Sequence, residues 1–84
     1  MAWEDKPSEA QLSAIFNITK WVLPRNLGKA ATDWLEATSD RKNVSNEIQR
    51  LKGLDKSRRL DCREIVFDSE IWEGFNYKEF SNEK

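Results

Sequence analysis

The chain has no histidine and one cysteine, Cys62. A lone thiol excludes an intramolecular disulfide, and without His the two commonest zinc ligands are almost missing, so neither a covalent nor a zinc staple is expected within the chain. Arg59 and Arg63 lie close to Cys62 in sequence, which makes a reactive thiol one reading of it. With no imidazole to act as its base, however, a small core residue is the better reading than a nucleophile. This cysteine usage fits a reducing, cytoplasmic setting. No apolar run approaches the ~18 residues of a membrane span, and the opening MAWEDKPSEAQ does not read as a signal peptide. The carboxylates Glu64, Asp68, Glu70 and Glu73 have neither a glycine-rich turn nor calcium-loop spacing beside them, so no metal and no cofactor is expected. No internal repeat or low-complexity segment occurs, and no catalytic constellation is visible.

What is present is charge and aromatic bulk. At 84 residues, 35% charged, with four Trp and four Phe and a mean hydropathy of −0.80, residues 1–84 read as one small polar domain. The aromatics argue against disorder, and a chain of this size buries roughly 60–65% of its unfolded surface. The net charge of −1 conceals segregation. Residues 1–40 carry four cations against six carboxylates. Residues 41–63 carry eight against three, a net of +5, and residues 64–84 carry two against six, a net of −4. A basic middle followed by an acidic, aromatic tail bears on partners rather than on fold.

Periodicity predicts an all-α fold: a small three-helix core over about 8–54 and a C-terminal extension over 55–80. The first helix spans about 8–23. Ser8 and Gln11 have capping-box spacing, Leu12, Ile15, Phe16, Thr19, Val22 and Leu23 mark its apolar face, Ala14, Ile18 and Trp21 widen that face, and Pro24 ends it. The second spans about 27–37, with Trp34 and Leu35 as bulk and Gly28 weakening its start. The third spans about 40–52. Val44, Ile48 and Leu51 form its stripe, and Gly53 and Leu54 suit a Schellman stop. Leu12, Ile15, Phe16, Trp34, Leu35, Val44, Ile48 and Leu51 are the expected core. Beyond Gly53, a short helix at about 55–65 is favoured, while the β-branched and aromatic content of CREIVF leaves a strand open for 55–67. The aromatic tail is expected to dock through about Tyr77, with 81–84 frayed.

Pro7, Gln11, Leu12 and Ile15, together with Ser45, Ile48 and the Arg50-Leu51-Lys52 triplet, carry a resemblance over residues 7–54 to small helical modules of phage and prophage proteins, of the helix–extension–helix or SAP-like kind. The resemblance implies a helical accessory domain attached to DNA-handling machinery. The tail after Leu54 departs from that pattern.

On its own chemistry the basic stretch is the strongest functional signal. Arg41, Lys42, Arg50, Lys52, Lys56, Arg58, Arg59 and Arg63 suit phosphates, and Gln49, with Asn46, suits bases or sugars. The expected function is non-enzymatic binding of nucleic acid or of a nucleic-acid-handling protein, with no small-molecule substrate and no membrane. The bland reading is a solvated helix face on which Glu47 pairs with Arg50 or Lys52. A pI of about 5.5 speaks against strong non-specific DNA binding. The alternative is a protein–protein module or inhibitor that uses the acidic tail, with Trp72, Phe75, Tyr77 and Phe80 as anchors.

Overall fold

Ser8 starts the first helix as its spacing implies. Its hydroxyl accepts from the Gln11 backbone N–H (3.2 Å) while the Gln11 carboxamide accepts from Ser8 N–H (3.0 Å), so two otherwise orphaned donors are satisfied at once. The computed structural model describes residues 6–80, which contain no strand. Four helices follow in order: α1 (Glu9–Thr19), α2 (Arg25–Thr38), α3 (Arg41–Lys56) and α4 (Arg63–Val66). Two 3₁₀ turns, Glu70–Trp72 and Tyr77–Phe80, complete the tail. Among the described residues no helix is long and apolar enough to cross a membrane.

The first helix is shorter than its apolar stripe predicts. Thr19 is buried and bonds its hydroxyl back to Ile15 O (2.8 Å), and its own carbonyl accepts from both Val22 and Leu23 N–H. The chain therefore tightens into a turn over 20–23, and Pro24 becomes the N-cap of α2 rather than a distant stop. That helix begins two residues earlier than expected. Gly28 is buried inside it, and a Cβ there would stand 2.8 Å from Phe16 Cε1. The missing side chain is what lets α2 close on the Phe16 ring.

The third helix runs past Gly53, where the sequence predicts a stop. It ends at Ser57, with Arg58 in the left-handed region (φ 62°). Arg59 N–H donates to Leu54 O and Arg58 N–H to Asp55 O, the two bonds of a Schellman motif displaced by five residues. Continuation packs Leu54 against the core and delivers Leu60 into it. An L side chain at the left-handed position costs about 1–2 kcal/mol, which that burial offsets. The expected helix over 55–65 reduces to α4, and the strand reading of 55–67 does not occur.

Gln11 also donates its Nε2 to Arg41 O (3.2 Å), so α1 and α3 start side by side and α2 runs back between their ends. α1 packs against both of the others. Of the expected core, Ile15, Leu35, Val44, Ile48 and Leu51 are buried, whereas Leu12, Phe16 and Trp34 are half-buried. Leu23, Leu27, Ala31, Leu60, Val66, Phe67 and Trp72 complete it. The tail docks as anticipated: Trp34 Nε1 donates to Ile71 O (3.2 Å), and its ring meets Phe75 at 5.5 Å. The fraying expected at 81–84 falls outside the described residues.

The two helical glycines should behave oppositely. At Gly53 a Cβ would meet nothing within 4 Å, so Gly53→Ala should raise stability by about 1 kcal/mol. Gly28→Ala, forced against Phe16, should fall short of that gain. Urea denaturation of both variants checks the pair, and equal gains would contradict the close approach at Gly28.

Candidate nucleic-acid interface

Every position of α3 that faces the core is apolar except one. Val44, Glu47, Ile48 and Leu51 follow the i, i+3, i+4, i+7 pattern, and Glu47 is only 4% exposed. Its carboxylate is fully engaged. Arg50 Nη2 and Nε donate to it at 2.6 and 3.1 Å, Ser69 Oγ at 3.1 Å and Trp72 Nε1 at 2.8 Å. Arg50 also donates to the carbonyls of Ile65 and Val66. A carboxylate inside an apolar stripe is tolerated only when donors surround it, and here they come from the helix itself and from the tail.

This network decides which predicted contacts face solvent. Arg50 is half-buried and committed to Glu47 and α4, so it leaves the candidate set. Arg63 also separates from it: it opens α4, is half-buried, and encloses an Nη1 that has no hydrogen-bond partner. Arg41, Lys42, Gln49, Lys52, Lys56, Arg58 and Arg59 are all exposed. Neither ion pair among the described residues, Arg50–Glu47 and Lys29–Asp33, involves any of them. Along α3, four exposed cations face a single exposed carboxylate, Asp55. Lys42, Gln49, Gly53 and Lys56 recur at i, i+7, i+11 and i+14, one stripe on the helix. Over the bare backbone of Gly53 lies a shallow, open depression of about 490 Å³ lined by Gln49, Lys52, Gly53, Asp55 and Lys56. It has amide and ammonium groups at its edge.

A larger depression of about 580 Å³ lies between the end of α2, the first turns of α3 and the first 3₁₀ turn. Exposed Glu70 and Glu73 belong to its lining, which disfavours phosphate, so the chemistry points to the smaller one. Glu64 adds to the acidic side of the tail. Its carboxyl sits below the ordinary range because its own backbone N–H and then the Cys62 thiol hydrogen-bond it, with Arg63 and Lys78 nearby.

The alternative anchors are largely used internally. Trp72 is 3% exposed, meets Phe67 edge-on at 4.8 Å and is bonded to Glu47. Phe67 stacks on Tyr77 at 4.6 Å, and Phe75 lies within 5.7 Å of the Trp34, Phe67 and Trp72 rings. Trp72 is thus corrected from a partner anchor to a core residue, and Phe75 and Tyr77 are half-buried in the same cluster. The Phe80 side chain lies outside the described set. The sequence anticipates the Glu47–Arg50 pair but sets it on a solvated face; it misses the burial of Glu47 and its Ser69 and Trp72 donors, although a carboxylate in the i+3 slot of an apolar stripe is a legible sign of them. Comparison with family models, with curated proteins and with solved structures finds no match for this chain.

Removing the carboxylate strands three donor groups at once. Glu47→Ala should therefore destabilise the domain by about 3–5 kcal/mol, with Glu47→Gln, which keeps an acceptor oxygen, milder. Chemical denaturation followed by Trp fluorescence reads the difference. A transition unchanged in Glu47→Ala would remove the network from any structural role.

Proposed function

We propose that this is a non-enzymatic accessory domain that binds nucleic acid through the outer face of α3 and the turn after it. The observation that supports the reading most directly is the internalisation of Glu47 by Arg50 and Trp72. It takes the helix's central negative charge off the surface and leaves Arg41, Lys42, Lys52 and Lys56 opposed there by Asp55 alone. Arg58 and Arg59 extend the cationic run past the helix end. Such a stripe suits a polyanion's backbone, because each phosphate contact releases condensed counterions. Gln49, beside the open backbone at Gly53, supplies an amide for a base or sugar edge.

The phage- or prophage-type setting enters this reading only through the resemblance of residues 7–54, as does the possibility that the partner is itself a nucleic-acid-handling protein. A cytoplasmic location fits the same reading. The tail-based protein module is less favoured, since its Trp72 anchor is already satisfied inside the domain.

Affinity for a labelled duplex, measured by fluorescence anisotropy across a salt series, tests the proposal. Combined replacement of Lys52, Lys56 and Arg59 by Ala should weaken binding uniformly across sequences and flatten the salt slope by roughly 2–3 units. An unchanged slope would remove the α3 face from phosphate contact. Arg50→Lys, by contrast, should act on stability and not on the slope.

A further inference from the structure

We propose that Trp21 is a base-stacking platform that makes single-stranded nucleic acid the preferred ligand of the cationic end of the bundle. The inference rests on the nucleic-acid reading above and names its substrate class. Trp21 is 68% exposed, the one exposed large hydrophobic residue among the described residues. Isolated exposed apolar residues are ordinary, but this one is carried on a hydrogen-bonded turn. Thr19 and Leu23 are buried on either side of it, and Thr19 O accepts from both Val22 and Leu23 N–H, so the backbone that carries the indole is fixed. Lys20 and Arg25 flank it, both exposed and without ion-pair partners among the described residues.

Topology gathers more charge at the same end. Because Gln11 is bonded to Arg41 O at the start of α3, the rest of α1 as far as Thr19, at about 1.5 Å per residue, brings its end level with α3 near Gln49. The Trp21 turn therefore stands at the end of the bundle where Lys52, Lys56, Arg58 and Arg59 also lie. An accessible aromatic face flanked along the chain by the exposed Lys20 and Arg25 matches the pairing of a stacked base with its phosphates. Bases in a duplex are already stacked and closed, so the platform favours single strands.

The test compares anisotropy of labelled oligo-dT with that of a duplex of equal length. Trp21→Ala and Trp21→Leu should each weaken oligo-dT binding by about 5- to 150-fold, the range for one stacked base. Trp21→Phe should retain most of it, and duplex affinity and both salt slopes should stay unchanged. Equal losses on strand and duplex, no loss on either, or rescue by Leu would overturn the stacking role. In each of those cases a slope flattened by Lys52→Ala with Lys56→Ala would leave the nucleic-acid reading standing. Failure of the unaltered protein to bind either ligand would overturn both readings. Trp21-dependent binding to anionic vesicles, without oligo-dT binding, would reassign the indole to a membrane surface and overturn the proposal as well.

Discussion

The carboxylate of Glu47 is the group on which the rest of the molecule depends. Burying a charge is unfavourable by several kcal/mol unless donors replace its water. Here the donors come from three places: Arg50 one turn along the same helix, Ser69 before the first 3₁₀ turn, and Trp72 inside it. The geometry is satisfied only when the tail lies on α3. Arg50 reinforces this by reaching past the carboxylate to the carbonyls of Ile65 and Val66. A fixed polar cluster therefore specifies where the tail sits, and the non-directional apolar contacts follow. Phe67, Trp72, Phe75 and Tyr77 then form one aromatic group against Trp34.

For a domain of this size that placement has large consequences. Three short helices bury a modest core, and Leu60, Val66, Phe67 and Trp72 all reach it from beyond α3. The tail is thus part of the core. The loss of helix after Lys56 is part of the same arrangement. Arg58 accepts a left-handed backbone because the turn it makes brings Leu60 inward to full burial.

What the sequence made legible follows the strength of each local signal. The capping box at Ser8 and Gln11 and the stripe at Val44, Ile48 and Leu51 are short-range, self-consistent patterns, and α1 and α3 begin and pack as they imply. Helix ends were less legible because tertiary contacts set them. Gly53 is a good C′ residue in isolation, yet helix continuation buries part of Leu54, and the stop passed to an arginine that no propensity favours. At the end of α1, Thr19 was read as part of an apolar face, and its back-bonding to Ile15 drew the chain into a turn instead. The solvent exposure of the candidate site was only partly legible. Seven of its nine residues are exposed. Arg50 and Arg63 were indistinguishable from their neighbours without knowing that residues 63–72 fold back onto α3. The slot occupied by Glu47 held that information, since a carboxylate at i+3 of an apolar stripe needs a partner from elsewhere in the chain.

The same fold-back converts a linear segregation of charge into a spatial one. In sequence, a segment of net +5 is followed directly by one of net −4, and in an extended chain the two would largely screen each other. Folding withdraws one carboxylate and one guanidinium from the middle segment into the network. Exposed Glu70 and Glu73 are left bordering the groove between α2 and α3, while Lys42 and Lys56 lie on the outer stripe of α3 and Arg41 and Lys52 on its flank. A chain of net charge −1 thereby acquires one cationic face and end beside an acidic groove. A polyanion is attracted to the first and repelled by the second, so the field orients its approach. In the proposed nucleic-acid role so few cations could engage phosphates that electrostatics alone would give weak and strongly salt-dependent binding. In the proposed role, useful affinity would then require a contact that salt does not screen, and the exposed indole of Trp21 is the group we propose for it.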